Sequence, residues 1–369
     1  MKILHIAPLI EPLASSAPGG SEQIAVSLAA TQARLGHEVA MIACEGSVLP
    51  PQITQIHAGI QVGSLVPIDT SKVTQREAEE LHADRKDREF RVYSALITKL
   101  SSLGGEHFDI VHNHAFDEAL LFPDRRLGRH VIHTLHCPPL VPWLVERLRT
   151  LLQSHRSRYV TVSHACAKDW HAASGVAPQV VYNGLELEDI PFAADPAHHF
   201  AWVGRISPEK GLHTALRIAK QLQLTELKVF GRVYDSTYFE REIREALSDP
   251  HVSYYGFQPR STIFPLIAKA RAVISPIEWE EPFGLVFIES LAAGTPVVAF
   301  RRGAAAEIIE HGQTGFLVDN AEEMCEAIGR VDRLSRQRCR ASVMSRFDVA
   351  TMARNYLRVY TEQLATNPD

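Results

Sequence analysis

Two glutamates, Glu281 and Glu289, are the residues whose type and spacing most directly suggest chemistry. Glu281 precedes a turn in which Pro282 and Gly284 flank Phe283, and a helical apolar run follows. Such a turn predicts a helix N-terminus at the carboxyl end of a strand, where free amides and the helix dipole favour an anion. Glu289 would lie inside that helix among apolar residues, and a buried carboxylate is costly unless it meets hydroxyls or cations. The pattern predicts a site for a polar, anionic ligand.

A structural interpretation fits the same spacing equally well. Glu281 could cap the helix and Glu289 could lie on a solvated strip of it. The element that carries both is clearer, since residues 271–300 pass from an apolar run through an acidic turn and a helical run to a second apolar run. This order is typical of a β-α-β crossover in a buried parallel sheet and predicts an α/β protein.

Length and composition predict a globular protein of two domains. The chain has 369 residues, which exceeds the usual size of one hydrophobic core. Its hydrophobic share of 46% and charged share of 22% are ordinary. A formal net charge of -5 gives no electrostatic case for a nucleic-acid partner.

The termini and cysteines favour a cytoplasmic setting. The run MKILHIAPL is too short for a signal peptide and predicts a first strand, and no run reaches the length of a transmembrane helix. The five cysteines are scattered, with no CxxC spacing. A peripheral membrane contact stays possible at the charged, helical segment 69–103, although its mixed charges weaken attraction to anionic lipid.

The chain opens with a strand, helix and strand that place two glycines at a strand-to-helix junction. Residues 2–8 and 37–44 are predicted strands, and residues 21–36 have helical spacing. Gly19 and Gly20 precede the helix, where glycine lets a ligand approach the backbone amides. A simple flexible turn explains the pair as well, because no GxGxxG or GxxxxGK[ST] pattern is present.

Four histidines lie near the ends of the next two predicted strands. One strand ends in His112, Asn113 and His114, and the following strand ends in His133 and His136. No HxxxH helix or flanking carboxylate set supports a metal site, so none is predicted. We interpret His114 as a ligand-contacting side chain, with a hydrogen-bonded core histidine as the alternative.

A second series of strands and helices follows a linker at residues 189–199. It begins with FAWVGRISPEKGL, in which Arg205 and Lys210 follow a predicted strand. Paired cations at the carboxyl end of a strand suit a pyrophosphate, although an exposed charged loop would have the same spacing. Later segments predict a helix from Tyr238 to Leu247, a helix from Thr262 to Arg271 and an amphipathic tail from Asp348 to Leu364.

With these pieces placed, the chain resembles glycosyltransferase family 4, the retaining nucleotide-sugar-dependent enzymes with the GT-B fold. The most specific motif is EPFGLVFIE at residues 281–289, followed by AGTPVV. Supporting motifs are VGRISPEKG at 203–211, VYNG at 181–184, AEIIEHGQTGFLV at 306–318 and the Gly19-Gly20 loop with Glu22 after it. The resemblance covers nearly the whole chain.

The resemblance implies two Rossmann-like, doubly wound domains that face a central cleft. The acceptor-side domain would span residues 1–187 with the final helix at 349–369 crossing back to it, and the donor domain would span residues 188–348. Glu281 would contact the transferred sugar, Arg205 and Lys210 would neutralise the diphosphate, and His114 would hold a sugar hydroxyl. The remaining implied donor contacts are Glu289 at the ribose, Phe283, Gly284 and Leu285 at sugar and phosphate, Gly19 and Gly20 at the diphosphate, and Gly256 and Phe257 near the nucleobase.

The implied reaction is transfer of a hexosyl group to a hydroxyl acceptor, which could be a sugar, a lipid-linked sugar or a small molecule. A UDP-sugar is favoured as donor and a GDP-sugar comes next. The reaction would retain the anomeric configuration and need no cofactor or metal. Two departures leave the sugar open: alanines follow Gly303 in RRGAAAE, and FGRVYDSTYF lacks the family's GxGP turn. The alternatives are a nucleotide-sugar epimerase or hydrolase and a non-catalytic nucleotide-sugar-binding protein.

Overall fold

The protein forms two compact units in a computed structural model that describes residues 1–9, 12–13, 19–57, 87, 90–98, 108–116, 118–121 and 130–366. The first unit contains the described residues up to Leu185 together with those from Val349 onward. The second unit contains the described residues from Glu186 to Asp348. The sequence prediction places the boundaries two residues later, at 187/188, and at the same place, 348/349.

A parallel sheet of seven strands forms the centre of the first unit, in the order β3-β2-β1-β4-β5-β6-β7. The strands are β1 (Lys2–Ile6), β2 (Glu38–Ala43), β3 (Thr54–His57), β4 (Ile110–Asn113), β5 (Val131–Leu135), β6 (Tyr159–Thr161) and β7 (Gln179–Val180). The helices before the second unit are α1 (Gly20–Arg34), α2 (residues 90–98), α3 (Glu118–Leu121), α4 (Pro142–Ser154) and α5 (His164–Ser174).

The strands of this sheet are largely buried, as expected for a parallel sheet with helices on its faces. In β1 every residue after Lys2 is buried, and all four residues of β4 are buried. The Ser163 hydroxyl caps α5, since it accepts a hydrogen bond from the Cys166 amide at 3.0 Å. The strand order reverses between β1 and β4, and ligands of such sheets bind outside the carboxyl ends of the strands at this point.

The second unit has a parallel sheet of six strands in the order β10-β9-β8-β11-β12-β13. Its strands are β8 (Phe200–Val203), β9 (Leu227–Phe230), β10 (Val252–Gly256), β11 (Val273–Ser275), β12 (Val297–Phe300) and β13 (Gly315–Val318). Its helices are α6 (Leu212–Gln221), α7 (Ser236–Tyr238), α8 (Arg260–Lys269), α9 (Leu285–Ala292), α10 (Ala305–Ile308), α11 (Ala321–Ile328) and α12 (Arg336–Met344). The order reverses between β8 and β11.

Two helical regions differ from the sequence prediction. The helix predicted from Tyr238 to Leu247 is instead α7 followed by a π-helical turn at Phe239–Ile243 and a 3-10 turn at Ala246–Ser248. Helix α12 was not predicted because its sequence, RQRCRASVM, carries little apolar periodicity. Its buried face consists of Cys339, Val343 and Arg336, and the Arg336 guanidinium donates to the carbonyl oxygens of Ala193 and Ala270 at 2.7 and 2.9 Å.

The helix that follows the second unit, α13 (Val349–Thr366), belongs to the first unit. It packs against α1, and it buries Tyr356 and Tyr360 completely. The predicted fold is confirmed in these respects: two Rossmann-like units of parallel sheet and helices, and a final helix that returns to the first. Across the described ranges, no helix combines the length and the apolar character needed to cross a membrane.

Candidate active site

Two loops meet where the strand order of the second unit reverses, one after β8 and one after β11. Lys210 from the first loop donates a hydrogen bond from Nζ to Oε2 of Glu281 in the second loop, at 2.5 Å. The indole Nε1 of Trp279 donates to the same oxygen at 2.9 Å. Only 16% of the Lys210 side chain and 11% of the Glu281 side chain are exposed, so solvent screens this ion pair weakly. Two residues that the sequence placed in one site are therefore in direct contact.

The same two loops are joined by backbone and side-chain contacts. The Glu278 amide donates to the Glu209 carbonyl at 2.9 Å, and the Glu278 carboxylate lies 3.1 Å from His213 Nε2. Gly211 has a φ of 67°, and a Cβ there would lie 1.9 Å from the carbonyl oxygen of Pro276. Only glycine therefore allows the loops to approach this closely.

A third loop, after β12, packs against the backbone of Glu281. The amide of Ala304 donates to the Glu281 carbonyl at 2.9 Å. Gly303 has a φ of 51°, and a Cβ there would lie 2.1 Å from that same carbonyl oxygen. The glycine of the RRGAAAE segment thus fixes the position of a predicted sugar contact, and the alanines after it start α10.

The helix α9 begins at Leu285, and Gly284 is its N-cap residue with a φ of 90°. No side chain caps this helix, so the alternative in which Glu281 serves as the cap is wrong. An uncapped helix start leaves its first amides open to an anion. Phe283 is buried and packs edge-on against Phe347 with 5.6 Å between the ring centroids, so only its backbone can serve a ligand.

Glu289 lies one turn inside α9 and forms an ion pair with Arg260 at the start of α8. The residue is 7% exposed, so the alternative that places it on a solvated strip is wrong. A carboxylate at this depth needs a cation or several hydrogen-bond donors, and Arg260 provides the charge. Gly256 and Phe257 lie just before α8, and 48% of Phe257 is exposed. Arg260, the ion-pair partner of the predicted ribose contact, thus follows the predicted nucleobase contacts closely in the chain.

Arg205 is the more exposed of the two predicted cations. Its guanidinium donates to Glu209 Oε1 at 3.2 Å and lies 4.8 Å from the ring centroid of Tyr234. The Ser207 hydroxyl donates to the same Glu209 oxygen at 2.6 Å, which holds the carboxylate in place. The cation is therefore oriented but reachable, with 47% of its side chain exposed.

Gly19 and Gly20 lie at the start of α1 in the first unit, Gly19 as N-cap and Gly20 as the first helical residue. The carboxylate of Glu22 folds back over them, so that a Cβ on Gly19 would lie 1.9 Å from Glu22 Oε2. Ser21 donates to this oxygen at 2.8 Å. A carboxylate at a helix N-terminus is stabilised by the same amides that would hold a phosphate. The ligand contacts of the two glycines stay predictions.

His114 follows β4 and is 2% exposed. Its Nε2 lies 3.0 Å from His5 Nδ1, and its Nδ1 lies 3.1 Å from His136 Nε2. Asn113 fixes the turn, because its side-chain amide donates to the Ala115 carbonyl and accepts from the Ala115 amide, both at 3.0 Å. Burial, together with the neighbouring His112, lowers the pKa of His114 well below its usual value, so its imidazole is neutral.

The sugar contact of His114 stays a prediction, but both of its ring nitrogens already face other histidines. The neighbouring His136 is partly exposed, and within the described residues its Nδ1 has no protein partner. Burial lowers the pKa of His136 to about 4, so this nitrogen also belongs to a neutral ring. Of the ring nitrogens of His114 and His136, Nδ1 of His136 is therefore the one left for a ligand.

Several residues of these sites were not singled out from the sequence. Trp279 lies between two glutamates and could have been noticed as an indole donor in an acidic loop. Arg260 and His5 carried no signal, because each meets its partner across a long stretch of chain. His5 joins His112 and His114 in a buried group whose ring nitrogens lie within 4.8 Å of one another, close enough to be considered for a metal ion. The expectation that no metal is needed stays a prediction.

Two family models match the chain in succession. Residues 18–189 match Glycosyltransferase Family 4, and residues 190–346 match Glycosyl transferases group 1. The two matches follow the division into two units described above. The chain therefore belongs to the group 1, family 4-like glycosyltransferases and has the GT-B fold.

Individual relatives agree with this assignment. Glycogen synthase of Mycobacterium tuberculosis is 32% identical over 145 residues, which is 37% of this chain and only 34% of that protein. D-inositol 3-phosphate glycosyltransferase of Pseudarthrobacter chlorophenolicus is 25% identical over 358 residues, covering 86% of this chain and 82% of that protein. Among solved structures, HepE of Anabaena in complex with UDP and glucose is similar with a TM-score of 0.73 and 18% identity, over 98% of this chain and 100% of that one.

Proposed function

We propose that this glycosyltransferase moves a hexosyl group from a nucleotide diphosphate sugar to a hydroxyl acceptor, with retention at the anomeric carbon and without a metal. A UDP-sugar is the favoured donor and a GDP-sugar the next. The observation that carries the proposal is the contact between Lys210 and Glu281 at the strand-order reversal of the second unit. A cation for the leaving group and a carboxylate for the sugar are held together there by three loops.

The chemistry requires charge stabilisation at the leaving group. When the bond between the anomeric carbon and the diphosphate breaks, negative charge grows on the departing oxygen. Lys210, Arg205 and the open amides at the start of α9 can meet that charge in fixed positions, and fixed donors and charges at the position of a developing oxyanion typically account for 10²- to 10³-fold in kcat each. This arrangement supplies the stabilisation that a metal ion gives in other transferases.

Retention is proposed to follow a front-face route. The acceptor oxygen bonds to the anomeric carbon on the face that the diphosphate leaves, and its proton passes to the departing phosphate oxygen. Neither Glu281 nor Glu289 forms a bond to the sugar. Glu281 is hydrogen-bonded by Lys210 and Trp279, which suits a carboxylate that holds hydroxyls and does not suit a nucleophile.

The second unit also supports specific donor contacts. Glu289 is proposed to accept hydrogen bonds from the ribose hydroxyls, and the exposed ring of Phe257 offers an apolar surface to a nucleobase. UDP is favoured because HepE, a structure of the same fold, was crystallised with UDP-glucose. In the first unit, His136 is proposed to accept a hydrogen bond from a sugar hydroxyl, with His114 behind it.

A thermal-shift screen tests the donor. A ligand that binds only the folded protein raises its stability by about 2.7 kcal/mol at a hundredfold excess over Kd. UDP-, GDP- and ADP-glucose and their free diphosphates should be compared on the wild-type chain and on Lys210→Ala. We expect a UDP-sugar to raise Tm most, and we expect the variant to lose part of that shift. If no nucleotide raises Tm at saturating concentration, the proposal is wrong.

Product analysis then tests the reaction class. Incubation of the binding donor without acceptor should leave it largely intact, whereas added sugar acceptors should release the nucleoside diphosphate and yield a glycoside of unchanged anomeric configuration. Conversion of the donor alone to an isomeric nucleotide sugar would contradict transfer.

A further inference from the structure

A continuous chain of hydrogen bonds runs through the buried side chains of the first unit, from β5 to the helix α13. On one side of the Gln32 side chain it passes through His5 and His114 to His136. On the other side it passes through Tyr360, His112, Thr134 and Tyr356. The eight side chains come from α1, α13, three neighbouring strands and the loops that follow β4 and β5.

The Gln32 amide gives the first half of the chain a direction. Its oxygen can only accept, and it lies 2.8 Å from His5 Nε2, so that nitrogen carries a hydrogen. A neutral His5 then has a bare Nδ1, which accepts from His114 Nε2 at 3.0 Å. A neutral His114 likewise accepts at Nδ1 from His136 Nε2 at 3.1 Å. His136 is left with a bare Nδ1 at its accessible edge.

The other half of the chain follows from the Gln32 nitrogen. Its Nε2 donates to the Tyr360 hydroxyl at 3.2 Å, so that hydroxyl donates onward to His112 Nδ1 at 2.6 Å. His112 then donates from Nε2 to the Thr134 hydroxyl at 2.7 Å, which lies 2.9 Å from the Tyr356 hydroxyl. The hydroxyl hydrogens can rotate and the histidines can change tautomer. The orientation of the Gln32 amide, which lies between the two halves, determines which arrangement satisfies all the hydrogen bonds.

The same histidines could be taken for a metal site, but the surroundings argue for the hydrogen-bonded chain. His5, His112 and His114 are all neutral ligands, and the three are buried. Burial is the main cause that lowers their pKa values, which means that the site disfavours positive charge. A dication with these ligands alone would have no counter-charge in an interior of low polarity. Each ring nitrogen also already has a hydrogen-bond partner.

We propose that Gln32 is a positioning residue that acts through His5 and His114 to fix the tautomer of His136, so that Nδ1 of His136 is presented as a hydrogen-bond acceptor. The ligand group that fits this acceptor is a hydroxyl. The identity of that ligand, a sugar, rests on the proposed function, whereas the direction of the hydrogen bonds does not. The helix α13 takes part because Tyr360 holds the Gln32 nitrogen away from His5.

The tautomer test needs no substrate. Nitrogen-15 NMR of the histidine rings in the full chain reports which nitrogen carries the hydrogen, with His136→Gln used to assign the signal. We expect the wild-type His136 to be protonated at Nε2 alone. Gln32→Met removes both amide contacts, and we expect a mixture of the two tautomers. Gln363→Met is the matched control. Gln363 is 1% exposed on α13 and does not belong to the series of hydrogen bonds, so this variant should leave the signal unchanged.

Three outcomes would overturn the inference. The first is a wild-type His136 that is protonated at Nδ1, and the second is a His136 tautomer that Gln32→Met leaves unchanged. The third is a metal ion that is bound to the histidines of the purified protein and stays bound in Gln32→Met. Gln32→Glu provides a second variant that keeps an acceptor facing His5, and it should preserve the His136 tautomer even if the methionine variant folds poorly.

Activity then separates this inference from the proposed function. With the donor found by thermal shift, Gln32→Met should lower kcat/KM about tenfold, the effect of about 1.4 kcal/mol, and change its pH profile, while Gln32→Glu restores part of the rate. An inactive wild type with the expected NMR result would overturn the proposed function and leave the tautomer assignment intact. A tautomer change with an unaltered kcat/KM and pH profile would overturn the positioning role.

Discussion

The ammonium group of Lys210 and the carboxylate of Glu281 are in direct contact at 2.5 Å, although 70 residues lie between them in sequence. The contact joins the loops after β8 and β11. The cation and the carboxylate therefore hold each other in place before any ligand arrives.

Removal of the Lys210 charge should act on turnover more than on donor binding. Lys210→Ala is expected to lower kcat by about 10²- to 10³-fold and to change the donor Kd much less, because the leaving group gains charge only in the transition state. Steady-state kinetics with calorimetric binding measures both. Arg271→Ala is the control, since Arg271 also pairs with a carboxylate, that of Asp332 at 2.5 Å, but precedes β11, whereas the site lies at the carboxyl ends of the strands. Equal losses in kcat and in binding would contradict this role.

Loss of the proposed ribose contact at Glu289 should, in contrast, weaken donor binding more than it lowers kcat. Glu289→Gln keeps the shape of the side chain but weakens hydrogen bonds from ribose hydroxyls, which to a charged group are worth about 1.5 to 3 kcal/mol. The donor Kd should rise about ten- to a hundredfold, with a smaller change in kcat at saturation. Asp332→Asn changes a carboxylate whose arginine partner, Arg271, precedes β11 at the opposite end of the strand, and it should leave the Kd unchanged. A variant that binds donor normally would remove Glu289 from the ribose site.

The close approach of the two loops predicts a strong effect of a single methyl group. Gly211→Ala places a Cβ 1.9 Å from the Pro276 carbonyl oxygen at a φ of 67°, so we expect a loss of at least about 2 kcal/mol in the free energy of unfolding. Gly329→Ala is the matched control. Its nearest atom would be 3.5 Å away and its φ is -65°, so it should be neutral or stabilise by about 0.4 to 1 kcal/mol. Urea unfolding of both variants gives the comparison, and equal stabilities would show that the loops can separate at little cost.

The buried histidines predict that stability depends steeply on pH. Burial lowers the pKa of His5 to about 4 and that of His133 to about 3, and it holds the pKa values of His112 and His114 well below the usual value. Below about pH 6.5 the unfolded chain takes up protons that the folded chain does not, so stability is complete above that pH and is lost as the pH falls toward 4. Each histidine contributes up to about 1.4 kcal/mol per pH unit in this window.

Urea unfolding between about pH 7.5 and pH 5 measures this slope. His133→Asn should reduce the slope by the share of one histidine. Gln363→Met changes a buried polar side chain that does not titrate, and it should leave the slope unchanged. A free energy of unfolding that is constant over this range would mean that the rings take up protons equally in the folded and the unfolded protein, which would contradict the lowered pKa values.

The Tyr360 hydroxyl predicts a stability effect of its own. Tyr360→Phe leaves the buried Gln32 nitrogen and His112 Nδ1 without their shared partner, which should cost about 1 to 3 kcal/mol in the free energy of unfolding. Tyr234→Phe removes a hydroxyl from a side chain that is 53% exposed and should change stability by less than about 0.5 kcal/mol. Similar effects in the two variants would argue against a buried hydrogen-bonded network.

The fold could be predicted from the sequence largely because its strands are buried on both faces. Continuous apolar runs such as those of β1, β8 and β12 are hard to mistake, and the glycine and proline turns mark their ends. Helix α12 was missed because Arg336 occupies the first position of its buried face and only Cys339 and Val343 follow as apolar residues there. A pattern of apolar residues does not reveal a buried arginine that binds backbone carbonyl oxygens.

The site was predicted in part. Lys210 and Glu281 could be placed together from the family motif, and the structure shows the contact. Arg260 could not be found, because its contact with Glu289 depends on how α8 packs beside α9. His5 could not be found either, since a histidine inside an apolar strand acquires meaning only from the register that pairs it with His112. Contacts fixed by tertiary packing leave no local pattern to read.

The return of α13 to the first unit affects the order in which the protein can mature on the ribosome. The second unit is nearly continuous in sequence and can close as soon as residue 348 has emerged, whereas the first must wait for Tyr356 and Tyr360. Until then Gln32 and His112 lack the Tyr360 hydroxyl, and Thr134 lacks the Tyr356 hydroxyl, so the polar interior of the first unit is incomplete. Synthesis of this chain therefore reverses the usual sequence, in which the N-terminal domain is completed first.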